Sequence, residues 1–154
     1  MKLFVFTMLA VLNVCLLVAQ GNVIFTSVSS DKNITQKTDG GESDLYFVVD
    51  GDESKGEVVL TFEMTAKPKE AYLIVNIPDK EWAESNDGFE VWYAGSMIGS
   101  FAKLMRNSWV EVKLDAAKLP SSGKFDITVK TTKGDGFYLC SKKSGRGANL
   151  KIIL

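Results

Sequence analysis

The stretch Lys124-Phe125-Asp126-Ile127-Thr128-Val129-Lys130 decides the fold class, because apolar and polar residues alternate through it without interruption. Such alternation is typical of a β-strand that buries one face and exposes the other. The same period of two recurs in residues 58–64 and 109–114. No window of the chain offers a long apolar stripe at helical spacing. These patterns predict a protein built from half-buried strands.

Turn-forming sequences separate these strands from further strand candidates. Asp-Gly and Gly-Asp steps supply the positive φ angles that tight turns require, as at Asp50-Gly51-Asp52 and Gly134-Asp135-Gly136. Ala94-Gly95-Ser96-Met97 predicts a short hairpin, while residues 79–85 and 115–119 each predict one helical turn, the second with Asp115 as its N-cap. The further strands are predicted at residues 23–28, 44–49, 71–77, 89–94, 97–101, 136–140 and 148–154. About ten short strands at this spacing predict an all-β fold, an antiparallel β-sandwich of jelly-roll-like type.

Residues 1–21 have the pattern of a secretory signal peptide. Lys2 precedes a charge-free apolar run at residues 3–18, and the small residues Ala19 and Gly21 follow it. The run is too short, and too abruptly followed by polar sequence, to predict a membrane-spanning helix. We expect cleavage after Gly21, which leaves a single β-sandwich domain at residues 22–154 that is secreted and works outside the cell.

The composition excludes several kinds of chemistry. The chain contains no histidine, which excludes Ser-His-Asp and Cys-His catalysis as well as histidine-ligated zinc. Without Lys2, 17 basic residues face 19 acidic ones. This balance gives no support for nucleic-acid binding, which needs a basic face. We therefore expect no nucleic-acid partner. The 19 acidic residues always offer some carboxylate pair for glycoside hydrolysis, but nothing singles one out, so we expect no enzyme. No other apolar run approaches membrane-spanning length, so we expect no membrane span.

Two single residues bear on the extracellular setting. Cys15 leaves with the signal peptide, so Cys140 has no partner for a disulfide within the domain. It is either an intermolecular thiol candidate or a buried, inert side chain. Asn33-Ile34-Thr35 is a glycosylation sequon and predicts a glycoprotein if the chain passes through a eukaryotic secretory pathway.

Aromatic residues on polar strand faces are the main signal for a ligand surface. Trp109 is two residues before Glu111 and four before Lys113, so in a regular strand it lies on the same, outward face as these charged residues. Trp92 is two residues from Glu90 and is therefore predicted on the same, polar face of its strand. Tyr138 is predicted on the face opposite to that of its two apolar neighbours, Phe137 and Leu139. A sugar ring stacks on an exposed aromatic face. The alternative is that these three aromatics cover an open edge of the sandwich.

Basic residues concentrate in one place, the turn at residues 141–147, here called the basic turn. It contains Lys142, Lys143 and Arg146. Such cations would pair with the carboxylate or sulfate groups of an anionic ligand. The alternative is a solvated hairpin tip whose charges maintain solubility.

Acidic turns are weak candidates for a metal site. Asp50, Asp52 and Glu53 offer oxygen atoms that a calcium ion prefers, but their spacing does not match an EF-hand loop. Most Asp-Gly sequences are simply turns. A structural calcium ion is therefore the one cofactor worth considering, and no other is expected.

The order of the strands resembles a known family. Residues 57–64 followed by 71–75 look like a strand with a single buried Phe and then an A-x-L-x-V strand. Residues 108–114 and 122–129 resemble its W-x-x-x-D-V and G-x-x-x-x-x-L centre. Residues 136–145 and 148–152 resemble its ending, an S-[RK]-E-[SG] turn followed by a P-x-L-x-V strand. Together these motifs resemble the DNRLRE-type secreted β-sandwich, also grouped as carbohydrate-binding module family 96. The pattern differs at Glu57, Lys143 and Asn149, where the family has Arg, an acid and Pro.

This resemblance implies a non-catalytic module that holds a polysaccharide, with anionic glycans among its ligands. The expected ligand-binding residues are the aromatic candidates and the basic turn: Trp92, Trp109, Tyr138, Lys142, Lys143 and Arg146. The alternative function is a structural or adhesive protein of the extracellular matrix that acts through self-association. A polysaccharide lyase built on Tyr, Lys and Arg would not need histidine and is a third hypothesis.

Overall fold

The computed structural model describes residues 22–27, 30–33, 45–48, 50–51, 54–55, 57–79, 88–131 and 137–154. These residues form thirteen β-strands and two short 3-10 helices. The first strands are β1 (Val23–Ser27), β2 (Ser30–Asn33), β3 (Leu45–Val48), β4 (Asp50–Gly51), β5 (Ser54–Lys55) and β6 (Glu57–Met64). They are followed by β7 (Glu70–Ile77), β8 (Phe89–Tyr93), β9 (Ser96–Phe101), β10 (Ser108–Leu114), β11 (Gly123–Thr131), β12 (Phe137–Cys140) and β13 (Asn149–Ile153). The 3-10 helices are Ala116–Lys118 and Lys142–Ser144.

Most of these strands belong to two antiparallel sheets that pack face to face. One sheet has the order β1-β13-β7-β10 and the other β2-β6-β11-β8-β9, while β12 pairs with β3 and β4 with β5. Without β2, the two sheets contain eight strands. The first of these pairs with the last, the second with the seventh, the third with the sixth and the fourth with the fifth. This nesting is the strand order of a jelly roll, so the predicted β-sandwich is confirmed.

The core lies between the two sheets and is filled by alternate residues of each strand. In β11 the buried residues are Phe125, Ile127 and Val129, while Lys124 and Asp126 are exposed, as the alternation predicts. Burying each such side chain contributes about 1.5–3 kcal/mol relative to leaving it in water. Phe89 and Phe137 stack across the core with their ring centroids 5.5 Å apart. Phe137 thereby fixes β12 against the sandwich.

The predicted local turns agree with the structure where it describes them. Ala94 and Gly95 both have positive φ, 47° and 78°, which matches the type I′ turn of a two-residue hairpin between β8 and β9. Asp115 caps the helix Ala116–Lys118, and its Oδ1 accepts a hydrogen bond from the amide of Ala117 at 3.2 Å. Most of the helical turn predicted at residues 79–85 lies outside the described residues.

Three strands and one helix were not predicted from the sequence. The strands β2, β4 and β5 have two to four residues each, too few for a clear alternation, and the helix Lys142–Ser144 has three. Within the described part of the chain, no helix has the length and apolar character needed to cross a membrane.

Candidate functional site

The outer face of the four-stranded sheet carries a row of aromatic and cationic side chains. The strand register places Phe25 of β1 opposite Lys151, Lys151 opposite Tyr72, and Tyr72 opposite Lys113 of β10. We call these four residues the Tyr72 row. Lys151 Nζ lies 4.7 Å from the centroid of the Tyr72 ring and Lys113 Nζ lies 5.9 Å from it. Both distances allow cation–π attraction, so the ring is held between two cations.

A carboxylate at the edge of the row binds the Tyr72 hydroxyl. This hydroxyl donates a hydrogen bond to Glu70 Oε2, and Lys113 Nζ lies 3.7 Å from the same oxygen. The hydrogen bond from Tyr72, followed by the charge of Lys113, lowers the pKa of Glu70 below its usual 4.5. The same hydrogen bond raises the pKa of Tyr72 above 10.0, since it favours the protonated hydroxyl. At neutral pH an ionised Glu70 therefore lies at the edge of the row, beside a neutral Tyr72.

Trp109 lies on the same outer face, four residues along β10 from Lys113. Its side chain is 55% exposed, while its strand neighbours Val110 and Val112 are buried. The predicted outward orientation of Trp109 is confirmed, because β10 pairs with β7 in a regular register over its whole length. The strand rises about 3.3 Å per residue, so Trp109 lies about 13 Å along the sheet from the Tyr72 row.

The basic turn begins just after β12 and ends just before β13. Its backbone forms the helix Lys142–Ser144, and Gly145 adopts the left-handed conformation after it, with φ 73°. The side chains of Lys142, Lys143 and Arg146 are exposed. The turn therefore presents its three cations on the surface, as the sequence predicts.

Asn76 places the basic turn at the Trp109 end of the sheet. Asn76 is the register partner of Trp109 and is only 4% exposed. Its amide nitrogen donates to the carbonyl of Ser108 at 3.3 Å, and its Oδ1 accepts from Cys140 Sγ at 3.0 Å. Cys140 comes two residues before Lys142. One buried amide thus connects the strand that carries Trp109 with the strand that leads into the basic turn.

Cys140 itself is buried, with 8% of its surface exposed. This corresponds to the buried alternative for this cysteine, and its thiol contributes a hydrogen bond to Asn76. The sequence alone did not indicate Asn76, because it follows a continuous apolar run in β7 and its thiol partner lies 64 residues away along the chain.

A loop between β9 and β10 adds two further cations at the same end. The amide of Asn107 donates to the carbonyl of Pro78 at 3.1 Å, which holds the loop against the end of β7. Lys103 and Arg106 in this loop are exposed, as is Met105 next to them. We call this end of the sheet, with Trp109, Met105, the two loop cations and the basic turn, the basic–aromatic end.

Trp92 lies on the opposite face of the sandwich. It shares an outward face with Glu90 on β8, as predicted, while Phe89 and Val91 are buried. Its indole Nε1 donates to Glu90 Oε2 at 2.8 Å, and Lys130 Nζ lies 5.2 Å from the ring centroid. Because the outer faces of the two sheets point in opposite directions, Trp92 and Trp109 cannot contact the same ligand ring.

Tyr138 is half-buried on β12 and packs against the core cluster. Its neighbours Phe137 and Leu139 are buried, which confirms that Tyr138 lies on the opposite face of the strand. The candidate residues are thus distributed over three places: the basic–aromatic end, the Trp92 face and the β12 strand. Only Trp109 and the basic turn come together.

The remaining candidates fall mainly outside the described residues. Asp52 and Glu53 are not described, and of Asp50 and Asn33 the structure describes the backbone, in β4 and β2. The calcium site and the glycosylation of Asn33 stay predictions. Among the residues that the structure does describe, no group of three or more metal-ligating side chains could hold an ion.

No protein-family model and no curated protein matches the sequence. A search of solved structures finds a carbohydrate-binding module, the CBM35 from Cellvibrio japonicus Abf62. It has 9% sequence identity and a TM-score of 0.39, over 84% of this chain and 92% of that one. Likeness at this level assigns neither a family nor a ligand. The resemblance to the DNRLRE-type family stays a prediction from the motifs.

Proposed function

We propose that this protein is a secreted, non-catalytic carbohydrate-binding module that holds anionic polysaccharide at its basic–aromatic end. The observation that carries the proposal is the exposure of Trp109 on the outer face of the four-stranded sheet, at the end where the basic turn lies. Membership of the DNRLRE-type family, with its extracellular location, is part of the same proposal and rests on the sequence motifs.

Trp109 supplies the stacking surface. A sugar ring offers a face of C–H groups that an exposed indole covers, and a β-strand holds the indole in a fixed orientation. The neighbouring outward residue Glu111 is paired with Lys151 at 3.3 Å, which partly balances its charge beside the ring. The indole is therefore accessible without an unpaired carboxylate next to it.

Cations around the indole favour an acidic glycan over a neutral one. Five exposed basic residues lie at this end of the sheet: Lys103, Arg106, Lys142, Lys143 and Arg146. Carboxylates and sulfates accept charge-assisted hydrogen bonds from such side chains, roughly twice as strong as bonds between neutral groups. Lys113 and Lys151 on the same face are instead paired with Glu70 and Glu111, so the unbalanced positive charge is concentrated at this end of the sheet.

Affinity electrophoresis of the secreted protein, expressed as the full chain and purified from the medium, tests the proposal. Gels contain alginate, pectin, a sulfated glycan or a neutral glucan. We expect retardation in acidic gels that weakens as salt is added, since ions screen exposed charges. Trp109→Ala should weaken binding about tenfold, equivalent to about 1.4 kcal/mol.

Matched variants locate the site. The triple change Lys142→Ala, Lys143→Ala and Arg146→Ala should remove most of the retardation. Trp92→Ala and Lys124→Ala make the same kinds of change on the opposite face and should leave it intact. Unchanged mobility of the wild-type protein in every gel would exclude useful affinity for these glycans, and a loss with Trp92→Ala alone would move the site to the other sheet.

The second candidate function, a structural or adhesive matrix protein that self-associates, is favoured by one observation. The strand β1 presents Phe25 and Val23 to solvent at the edge of its sheet. Release of unsaturated sugar ends, detected by ultraviolet absorbance, would instead favour the lyase hypothesis.

A further inference from the structure

The strand β1 is an edge strand of the four-stranded sheet and pairs along one side with β13. In the part of the chain that the structure describes, no strand pairs with its other side. Phe25 is 63% exposed and Val23 is 50% exposed, and both belong to β1. An unpaired edge with large apolar side chains is a site where another strand can add.

The hydrogen bonding to β13 shows which backbone groups point to the open side. The amide of Leu154 donates to the carbonyl of Asn22 at 3.1 Å, and this pair continues the register in which Val23 faces Ile153. Hydrogen-bonded and non-hydrogen-bonded pairs alternate in an antiparallel ladder. The residues with backbone N–H and C=O directed away from β13 are therefore Val23, Phe25 and Ser27.

The other edge strands of the two large sheets carry features that discourage pairing with an additional strand. The strand β10 exposes Glu111 and Lys113, and β2 contains Asp31 and Lys32. The strand β9 has a register shift against β8, between Val91 and Trp92. Charges and bulges of this kind keep edges from adding strands. The sequence of β1, Val-Ile-Phe-Thr-Ser, contains neither charge nor proline, and its register with β13 is regular.

We propose that a second copy of this chain docks on β1, with the two β1 strands antiparallel and Phe25 on the two-fold axis. Phe25 is the central residue of the five-residue strand, so two antiparallel copies of β1 can pair along their whole length when the two Phe25 residues face each other. Phe25 then faces Phe25 of the second copy, and Val23 faces Ser27. About six backbone hydrogen bonds form between groups that are directed outward. The interface is isologous and closed, and no charge on β1 opposes it.

The oligomeric state of the secreted full chain tests the pairing. Sedimentation velocity over a concentration series should show a reversible monomer–dimer equilibrium for the wild-type protein. Phe25→Lys places two like charges on the axis and should leave the protein monomeric. Trp109→Lys introduces the same charge on the same face at the opposite edge and should preserve the dimer. Thermal unfolding of each variant checks that it folds. A wild-type protein that is monomeric throughout would overturn the proposal.

Cross-linking tests the register. Phe25→Cys places two thiols on residues whose Cα atoms are about 5.5 Å apart in a hydrogen-bonded antiparallel pair, within the range of a disulfide. Val23→Cys is the matched control, because its two thiols are four residues apart along the strands, about 13 Å. The wild-type protein, with the buried Cys140, is the blank.

Under mild oxidation only Phe25→Cys should give a dimer on non-reducing gels. Cross-linking of Val23→Cys in place of Phe25→Cys would overturn the symmetric register. Failure of both would overturn the β1 interface. The glycan gels with Trp109→Ala report on the proposed function separately, so either proposal can fail without the other.

Discussion

At the scale of single residues, Tyr72 shows how a strand position acquires chemical character from its neighbours. Its hydroxyl donates to Glu70 on the same strand, while its ring lies between lysines of the two adjacent strands. The hydrogen bond lowers the pKa of Glu70 and raises that of Tyr72. The largest cause of both shifts is the same hydrogen bond, which favours a protonated Tyr72 beside an ionised Glu70.

Tyr72→Phe should remove this bond and move the pKa of Glu70 upward. The pKa should stay below 4.5 because Lys113 remains beside the carboxylate. Side-chain carboxyl NMR titration measures the change, and Tyr93→Phe is the control. An unchanged pKa of Glu70 in Tyr72→Phe would contradict the assignment of its cause.

The stability difference between the wild-type protein and Tyr72→Phe should depend on pH. The folded-state pKa of Glu70 is lowered, so its contribution is present above the unfolded value of 4.5 and is lost as pH falls through the folded pKa. The pKa of Tyr72 is raised, so its contribution is present below 10.0 and is lost as pH rises through the folded pKa. The difference in urea midpoint between wild type and Tyr72→Phe should therefore be largest between these limits and shrink beyond both.

At the scale of elements, the β8–β9 hairpin contains a local conflict between sequence and conformation. Ala94 has φ 47°, in the left-handed region that costs a residue with a Cβ about 1–2 kcal/mol. Gly95 takes the second positive φ without that cost. The preferred pair for this turn is Asn-Gly, which differs from the native pair only at Ala94.

Ala94→Asn should therefore stabilise the protein by about 0.5–1 kcal/mol, because Asn tolerates the left-handed conformation better than Ala. Urea unfolding measures the gain as a higher midpoint with an unchanged slope. Ala102→Asn, at another exposed position, is the control and should change little. A loss of stability in Ala94→Asn would mean that the hairpin does not form this turn in solution.

Elements were predicted from sequence where their signal is local. The faces of Trp109 and Trp92 follow from alternation in β10 and β8, and the cap at Asp115 follows from one side chain and the next turn. The surroundings of Tyr72 could not be predicted, since β13 and β10 approach β7 from distant parts of the chain. Asn76 was missed for the same reason. That Trp92 and Trp109 lie on opposite faces of the sandwich could not be predicted either. It depends on β8 and β10 belonging to different sheets, and no local sequence pattern shows this.

At the scale of the whole molecule, the proposed β1 pairing and the proposed glycan site make a joint prediction. Residues that face each other across an antiparallel pair project to the same side of the sheet. Two copies joined at β1 would form an eight-stranded sheet with both basic–aromatic ends on one face. A polymer that reaches both sites would bind with an effective concentration that a short oligosaccharide cannot exploit.

Phe25→Lys should therefore separate avidity from affinity. It should weaken binding to an immobilised acidic polysaccharide by at least about tenfold, because each monomer then binds alone. Its affinity for a short acidic oligosaccharide, measured by calorimetry, should match that of the wild-type protein, since Trp109 and the basic turn are untouched. Trp109→Ala should weaken both. Equal losses on polymer and oligosaccharide with Phe25→Lys would place Phe25 in the glycan contact itself, because a dimer contact contributes only when one ligand spans two copies.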